Sequence, residues 1–130
     1  FKIIGGYIET NGIGKGMYDL IQPKFRKIRA FTTTQKSKSE MVRKLINDIE
    51  MTNLELPSDQ LLPELHTEFA NYTYKLSNTG NLSFGHRPGA KDDIVDALLM
   101  ANYARVQFME KRPMRITGMN KAKAHFGKPQ

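Results

Sequence analysis

Residues 90–104 constrain this chain more than any other stretch. Asp92, Asp93 and Asp96 stand within five residues of one another, and an alanine-rich apolar run, Ala97-Leu98-Leu99-Met100-Ala101-Asn102-Tyr103-Ala104, follows them. Pro88 and Gly89 are breakers just upstream, so the pattern predicts a helix over 90–109 that begins near Asp92. On that helix Asp92 and Asp96 are four residues apart and Asp93 and Asp96 three apart, spacings at which side chains share a face. Like charges so placed repel. A divalent cation would neutralise them, and an all-oxygen donor set suits Mg²⁺ or Mn²⁺. The alternative is that acids in a first turn cap free amides and meet the positive end of the helix dipole. Capping accounts for Asp92 and Asp93, but less well for Asp96, which lies beside the core-facing Ala97.

A second acidic element stands near the start of the chain. Residues 2–9 read as a strand apolar on both faces, with Ile3, Ile4, Tyr7 and Ile8 as β formers and Glu9 at its end. Functional groups in open α/β sheets gather at the carboxyl ends of strands, which is where Glu9 falls. The glycine-rich turn Thr10–Gly16 leads into a helix over 13–22 that Pro23 stops, and residues 26–31 read as a short strand. A strand-helix-strand unit of this kind predicts a parallel pair.

Further along, Ser37 or Ser39 is expected to cap a helix running to Met51, with Met41, Val42, Leu45, Ile46 and Ile49 on its core face. Leu54–Leu56 reads as a very short strand, and a helix is expected over 59–70 with Leu61, Leu62, Leu65 and Phe69 apolar. Residues 72–76 and 82–86 flank Ser77-Asn78-Thr79-Gly80-Asn81 and predict a hairpin with a loose turn. Residues 1–110 thus make one α/β domain. Residues 111–130 read as a flexible basic tail, because Lys111, Arg112, Arg115, Lys121, Lys123 and Lys128 fall there with no Asp or Glu.

The formal net charge of +7 points to a polyanion as partner, most simply nucleic acid. The chain has no cysteine, which excludes disulfides and thiolate zinc sites and fits a reducing compartment. No apolar run approaches the length of a membrane span. The Gly12–Gly16 stretch lacks the spacing of a phosphate loop, so a tight turn before a helix is the better reading, although Lys15 is placed to touch a backbone phosphate. His66, His86 and His125 have no paired ligand spacing. His66 reads as helix surface and His125 as tail, while His86, just before the acidic cluster, is either near a site there or a solvated loop residue. No serine sits on a strand-to-helix elbow. What remains is a strand-end glutamate and a helical aspartate cluster in a basic domain. Carboxylates from two such elements can hold two divalent cations about 3.5–4 Å apart and hydrolyse phosphodiesters in line.

Tyr7-Ile8-Glu9-Thr10-Asn11-Gly12-Ile13-Gly14, followed some eighty residues later by Lys91-Asp92-Asp93-Ile94-Val95-Asp96-Ala97-Leu98, resembles the nuclease domain of the large terminase subunit of tailed bacteriophages. The resemblance spans residues 2–108, and its helical motif is shared in part with Holliday-junction resolvases. It implies an RNase H-like mixed sheet flanked by helices, and Mg²⁺- or Mn²⁺-dependent two-metal cleavage of concatemeric double-stranded DNA. Carried over by position, Glu9 is the second catalytic acid. Asp92 and Asp93 supply the third, either being the direct metal ligand, with Asp96 supporting or sharing the metal. Lys15, Lys36, Arg87 and Lys91 are the candidate DNA contacts. The family's first catalytic aspartate lies on a strand upstream of the Glu9 strand, and no such strand precedes Phe1. The expectation is therefore a nuclease fold lacking its first strand or strands, with weak or absent cleavage by the isolated chain. An ATPase domain, a small terminase subunit, a portal and the host cytoplasm are the implied partners and setting. The alternatives are another RNase H-like nuclease (a resolvase or a transposase) or a non-catalytic nucleic-acid or assembly module.

Overall fold

The computed structural model describes residues 2–109, and the basic tail expected over 111–130 lies outside that range. The order of elements is β1 (Gly6–Glu9), α1 (Gly14–Ile21), β2 (Ile28–Phe31), α2 (Gln35–Glu50), α3 (Pro63–Asn71), β3 (Tyr72–Leu76), β4 (Leu82–His86) and α4 (Asp93–Met109). This is an α/β arrangement, as the alternation of patterns predicts. β1 and β2 pair in parallel through α1, with Gly6 opposite Ile28 and Glu9 opposite Phe31. β3 and β4 form the antiparallel hairpin with the expected bounds, Tyr72 opposite His86 and Leu76 opposite Leu82.

Among the described residues the strands make two separate two-stranded sheets rather than one mixed sheet. The parallel pair lies against α1 and α4, and the hairpin lies against α2. The ladder beyond Phe31 is continued by side chains: Asn11 Nδ2 donates to the Thr33 carbonyl at 2.9 Å, and the Thr33 amide donates to Asn11 Oδ1 at 3.2 Å. The chain then turns into α2.

The cap of α2 is Thr34, not Ser37 or Ser39. The Thr34 hydroxyl accepts from the Ser37 amide and the Ser37 hydroxyl accepts from the Thr34 amide, a reciprocal box that satisfies two amides at once. Residues 54–56 form no strand. The amides of Asn53 and Leu54 fold back onto the Asp48 carbonyl, which ends α2 in a turn. α3 begins at Pro63, whose missing amide and preset φ suit a first helical position, rather than near residue 59.

The core is made by α2, α3 and α4. Met41, Val42, Leu45, Leu65, Val95 and Leu99 are buried in one cluster. Ile46, expected in it, is instead exposed, as is Leu61. The α2 stripe runs 41, 45, 48, a four-three spacing that places Asp48 inside and Ile46 on the outer face.

A second cluster joins the parallel pair to α4. The Tyr7 ring lies 5.3 Å from Phe31 and 6.0 Å from Tyr103, and Phe31 lies 5.6 Å from Tyr103. Tyr7 shares a strand face with Glu9, two residues on, and Tyr103 shares a helix face with Asp96, seven residues back. Packing these rings therefore sets the end of β1 near the start of α4. Gly14 tightens the same corner, because a Cβ there would collide with the Glu9 carbonyl oxygen. The glycine-rich stretch is thus a close turn that lets α1 start against the end of β1.

Candidate metal centre

α4 needs a partner for its first amides, since no preceding turn supplies carbonyls to them. Glu68 of α3 provides it. Its Oε2 accepts from the Ile94 amide at 2.8 Å and from the Val95 amide at 2.9 Å. Glu68 is only 8% exposed, so these charge-assisted bonds form out of water, where they are strongest. The capping task that Asp92 and Asp93 were candidates for is therefore performed by a residue from another helix. Glu68→Ala is expected to destabilise the fold by about 1–2 kcal/mol in denaturant unfolding, the usual cost of losing such a cap. An unchanged midpoint would mean the two amides find another acceptor.

Freed from capping, Asp92 and Asp96 turn to one cation. Lys38 Nζ lies 2.8 Å from Asp96 Oδ2 and 3.5 Å from Asp92 Oδ2. The Tyr72 hydroxyl, at the start of β3, donates to Asp96 Oδ1 at 3.4 Å. Its ring also lies 5.7 Å from the Lys38 ammonium. Four elements thus meet: α4 brings the acids, α2 the ammonium, β3 the phenol, and β1 ends close by with Glu9. Burial pushes the Asp96 carboxyl above the usual aspartate range. The Lys38 ammonium opposes this, while the charges of Asp92 and Glu9 reinforce it. Burial and the two nearby aspartates likewise push the Tyr72 phenol well above its ordinary value, so it stays a donor.

Asp93 goes elsewhere. Adjacent helical residues diverge by about 100°, and Asp93 lines a cavity of about 960 Å³ with Glu64, Glu68, Arg87 and Lys91. His86 comes near the acids, with Nε2 3.9 Å from Asp92 Oδ1, while its Nδ1 bonds the Arg87 carbonyl at 2.8 Å. His66 is held by the Pro57 carbonyl at 2.9 Å. Of the candidate DNA contacts, Arg87 and Lys91 line that cavity. Lys15 is exposed on α1, and Lys36 is exposed in the first turn of α2, beside the hairpin tip at Gly80–Leu82.

The four-carboxylate cluster expected of Glu9, Asp92, Asp93 and Asp96 is not assembled. Among the described residues no three His, Cys, Asp or Glu side chains come together as a metal-holding group. The reason is local: Asp92 and Asp96 lean towards Lys38, and Asp93 projects from another side of α4. The donor chemistry nonetheless fits a hard cation at one point. Oxygens of Asp92 and Asp96 already converge on a single positive charge, and oxygen-only ligands are what Mg²⁺ and Mn²⁺ take. Lys38 and Tyr72 were absent from the sequence-derived site. Lys38 had left one signal, a basic residue in a helix's first turn without any acid there, which the dipole disfavours. Tyr72 had left none.

A family model described as "Terminase RNaseH-like domain" matches residues 2–104. Comparison with curated proteins and with solved structures gave no match.

Proposed function

The chain belongs to the terminase RNase H-like domain family, and from that premise we propose that it is the metal-dependent endonuclease domain of a viral DNA-packaging terminase, acting on double-stranded DNA. The observation that carries this reading is the cation position shared by Asp92 and Asp96 at the start of α4. Asp92 and Asp96 would hold Mg²⁺ or Mn²⁺, with Glu9 adding negative charge at the end of β1. Bound there, the ion would supply Lewis-acid stabilisation of a phosphodiester oxygen and a more acidic water.

The chain's own residues contribute the rest. Tyr72 keeps its proton and donates to Asp96, which fixes that carboxylate's rotamer. Glu68 anchors the first turn of α4, so the acids are carried on a fixed scaffold. Arg87 and Lys91, which line the cavity beside Asp93, are suited to phosphate oxygens. The net charge of +7 supports a polyanionic substrate. In this reading the ATPase domain, small subunit and portal of a packaging motor are its partners in assembly.

The test is a crystal soaked in Mn²⁺ and read by anomalous scattering. A peak between the carboxylates of Asp92 and Asp96 is expected. A well-ordered soaked crystal without a peak there would overturn the catalytic reading in favour of a non-catalytic module.

A further inference from the structure

Lys38 occupies an expensive position. It stands in the first turn of α2, at the positive end of that helix, where no acidic residue offsets it locally. Its side chain is only 18% exposed, so a long cationic chain has been ordered and largely taken from water. What compensates is the acidic pair of α4, with the Tyr72 ring adding a cation–π contact. The benefit is mutual, since two aspartates four apart on one helix repel unless a cation stands between them.

We propose that the Lys38 ammonium is a built-in counterion of the Asp92–Asp96 pair, and that a divalent cation binds there only by displacing it. This rests on the reading that the pair holds a metal. The geometry makes the two occupants exclusive. The ammonium is within 2.8 Å of Asp96 Oδ2 and 3.5 Å of Asp92 Oδ2, and a metal bound by the same oxygens at about 2.1 Å would take the same space and add like charge. Lys38 therefore lowers the apparent metal affinity of the free domain while keeping the acids together. An arriving DNA phosphate offers the released ammonium a new partner, which couples metal loading to substrate.

The test is calorimetric titration of the 130-residue chain with MnCl₂, comparing wild type with Lys38→Met, Lys38→Gln and Lys38→Arg. The Met and Gln variants are expected to bind Mn²⁺ about tenfold more tightly, a modest fraction of what one close charge contributes at a partly buried site. The Arg variant, which keeps the charge, is expected to stay near wild type. Adding Asp96→Asn to Lys38→Gln should abolish the gain. Lys38→Gln keeps a polar, uncharged side chain at this position, so the result does not depend on the Met variant folding. Equal or weaker binding by the Met and Gln variants would overturn the counterion role and leave the metal site standing. Persistence of the gain in the double variant would overturn it too, by placing the ion elsewhere. Absence of Mn²⁺ binding in every variant would overturn the metal site itself, and the counterion role with it.

Discussion

Asp48→Ala is expected to lower the stability of the fold by about 3 kcal/mol, the lower end of the range for breaking a buried ion pair. Asp48 is 1% exposed at the interface of α2 and α4. Its Oδ1 accepts from Lys44 Nζ at 2.7 Å, and its Oδ2 accepts from Asn102 Nδ2 at 2.8 Å and from an Arg105 guanidinium nitrogen at 3.1 Å. Removing the carboxylate leaves a void and strips an acceptor from Asn102, itself only 3% exposed. Lys44 and Arg105 are about one-third exposed and can turn to water, which keeps the loss from reaching the upper end. Against a total stability of about 5–15 kcal/mol for a domain, this is a large fraction. Urea unfolding monitored by circular dichroism measures it, and a loss under about 1 kcal/mol would show that the network is not holding the helices together.

The same residue sets a pH dependence. The Lys44 hydrogen bond holds the Asp48 carboxyl below the ordinary aspartate value, against the opposing effect of burial, with Asn102, Lys44 and Arg105 adding to the lowering. A depressed folded-state pKa means the unfolded chain binds the proton more readily. The contribution of Asp48 is therefore complete above the ordinary aspartate value and is lost as pH falls through the lower folded one. Acid unfolding of Asp48→Asn should begin from a lower plateau at neutral pH and converge on wild type as pH falls through that range.

The second large effect concerns the acids of α4. Asp96→Asn and Asp92→Asn are each expected to weaken Mn²⁺ binding by at least about 100-fold, because losing a direct oxygen ligand should exceed the 10–100-fold typical of supporting residues. Asp93→Asn is expected to change it less than about threefold, since Asp93 lines the cavity on the α3 side and its charge acts at a distance. The comparison decides between the two members of the adjacent pair, which spacing alone leaves open. A large loss in Asp93→Asn with little in Asp92→Asn would reverse the assignment. Circular dichroism checks that each variant is folded, and Asp96→Asn is expected to remain so because Lys38 keeps Asp92 as partner.

Local chemistry was legible wherever a residue's role depends on its near neighbours. The hairpin follows from β formers around a Ser-Asn-Thr-Gly-Asn turn, and its two strands end where the alternation does. The parallel pair follows from a strand, a glycine turn and a helix stopped by Pro23. Glu9 was placed with the α4 acids by its strand-end position, but among the described residues it joins no metal-holding group with them. Helix starts were less legible: Thr34 took the cap expected of a serine, because the reciprocal pair with Ser37 satisfies two amides where a single cap satisfies one.

Charged residues inside the fold were the larger omission. Asp48 and Glu68 sit on helical stripes that are otherwise apolar, three residues after Leu45 and Leu65. Hydropathy places such residues outside, and their partners bring them in: the first amides of α4 for Glu68, and Asn102 and Arg105 of α4 with Lys44 of α2 for Asp48. Lys38 belongs with them. Sequence by itself determined the four helices, the parallel and antiparallel strand pairs and the acidic motifs, though not the strand expected at 54–56, because these depend on periodicity, turn chemistry and spacing along one segment. Tertiary structure alone decided that Glu68 caps α4, that Lys38 faces Asp92 and Asp96, and that Asp93 turns away from them. Those outcomes depend on rotation and contact between helices distant in the chain, and the energy of a buried charge is set by what stands across from it.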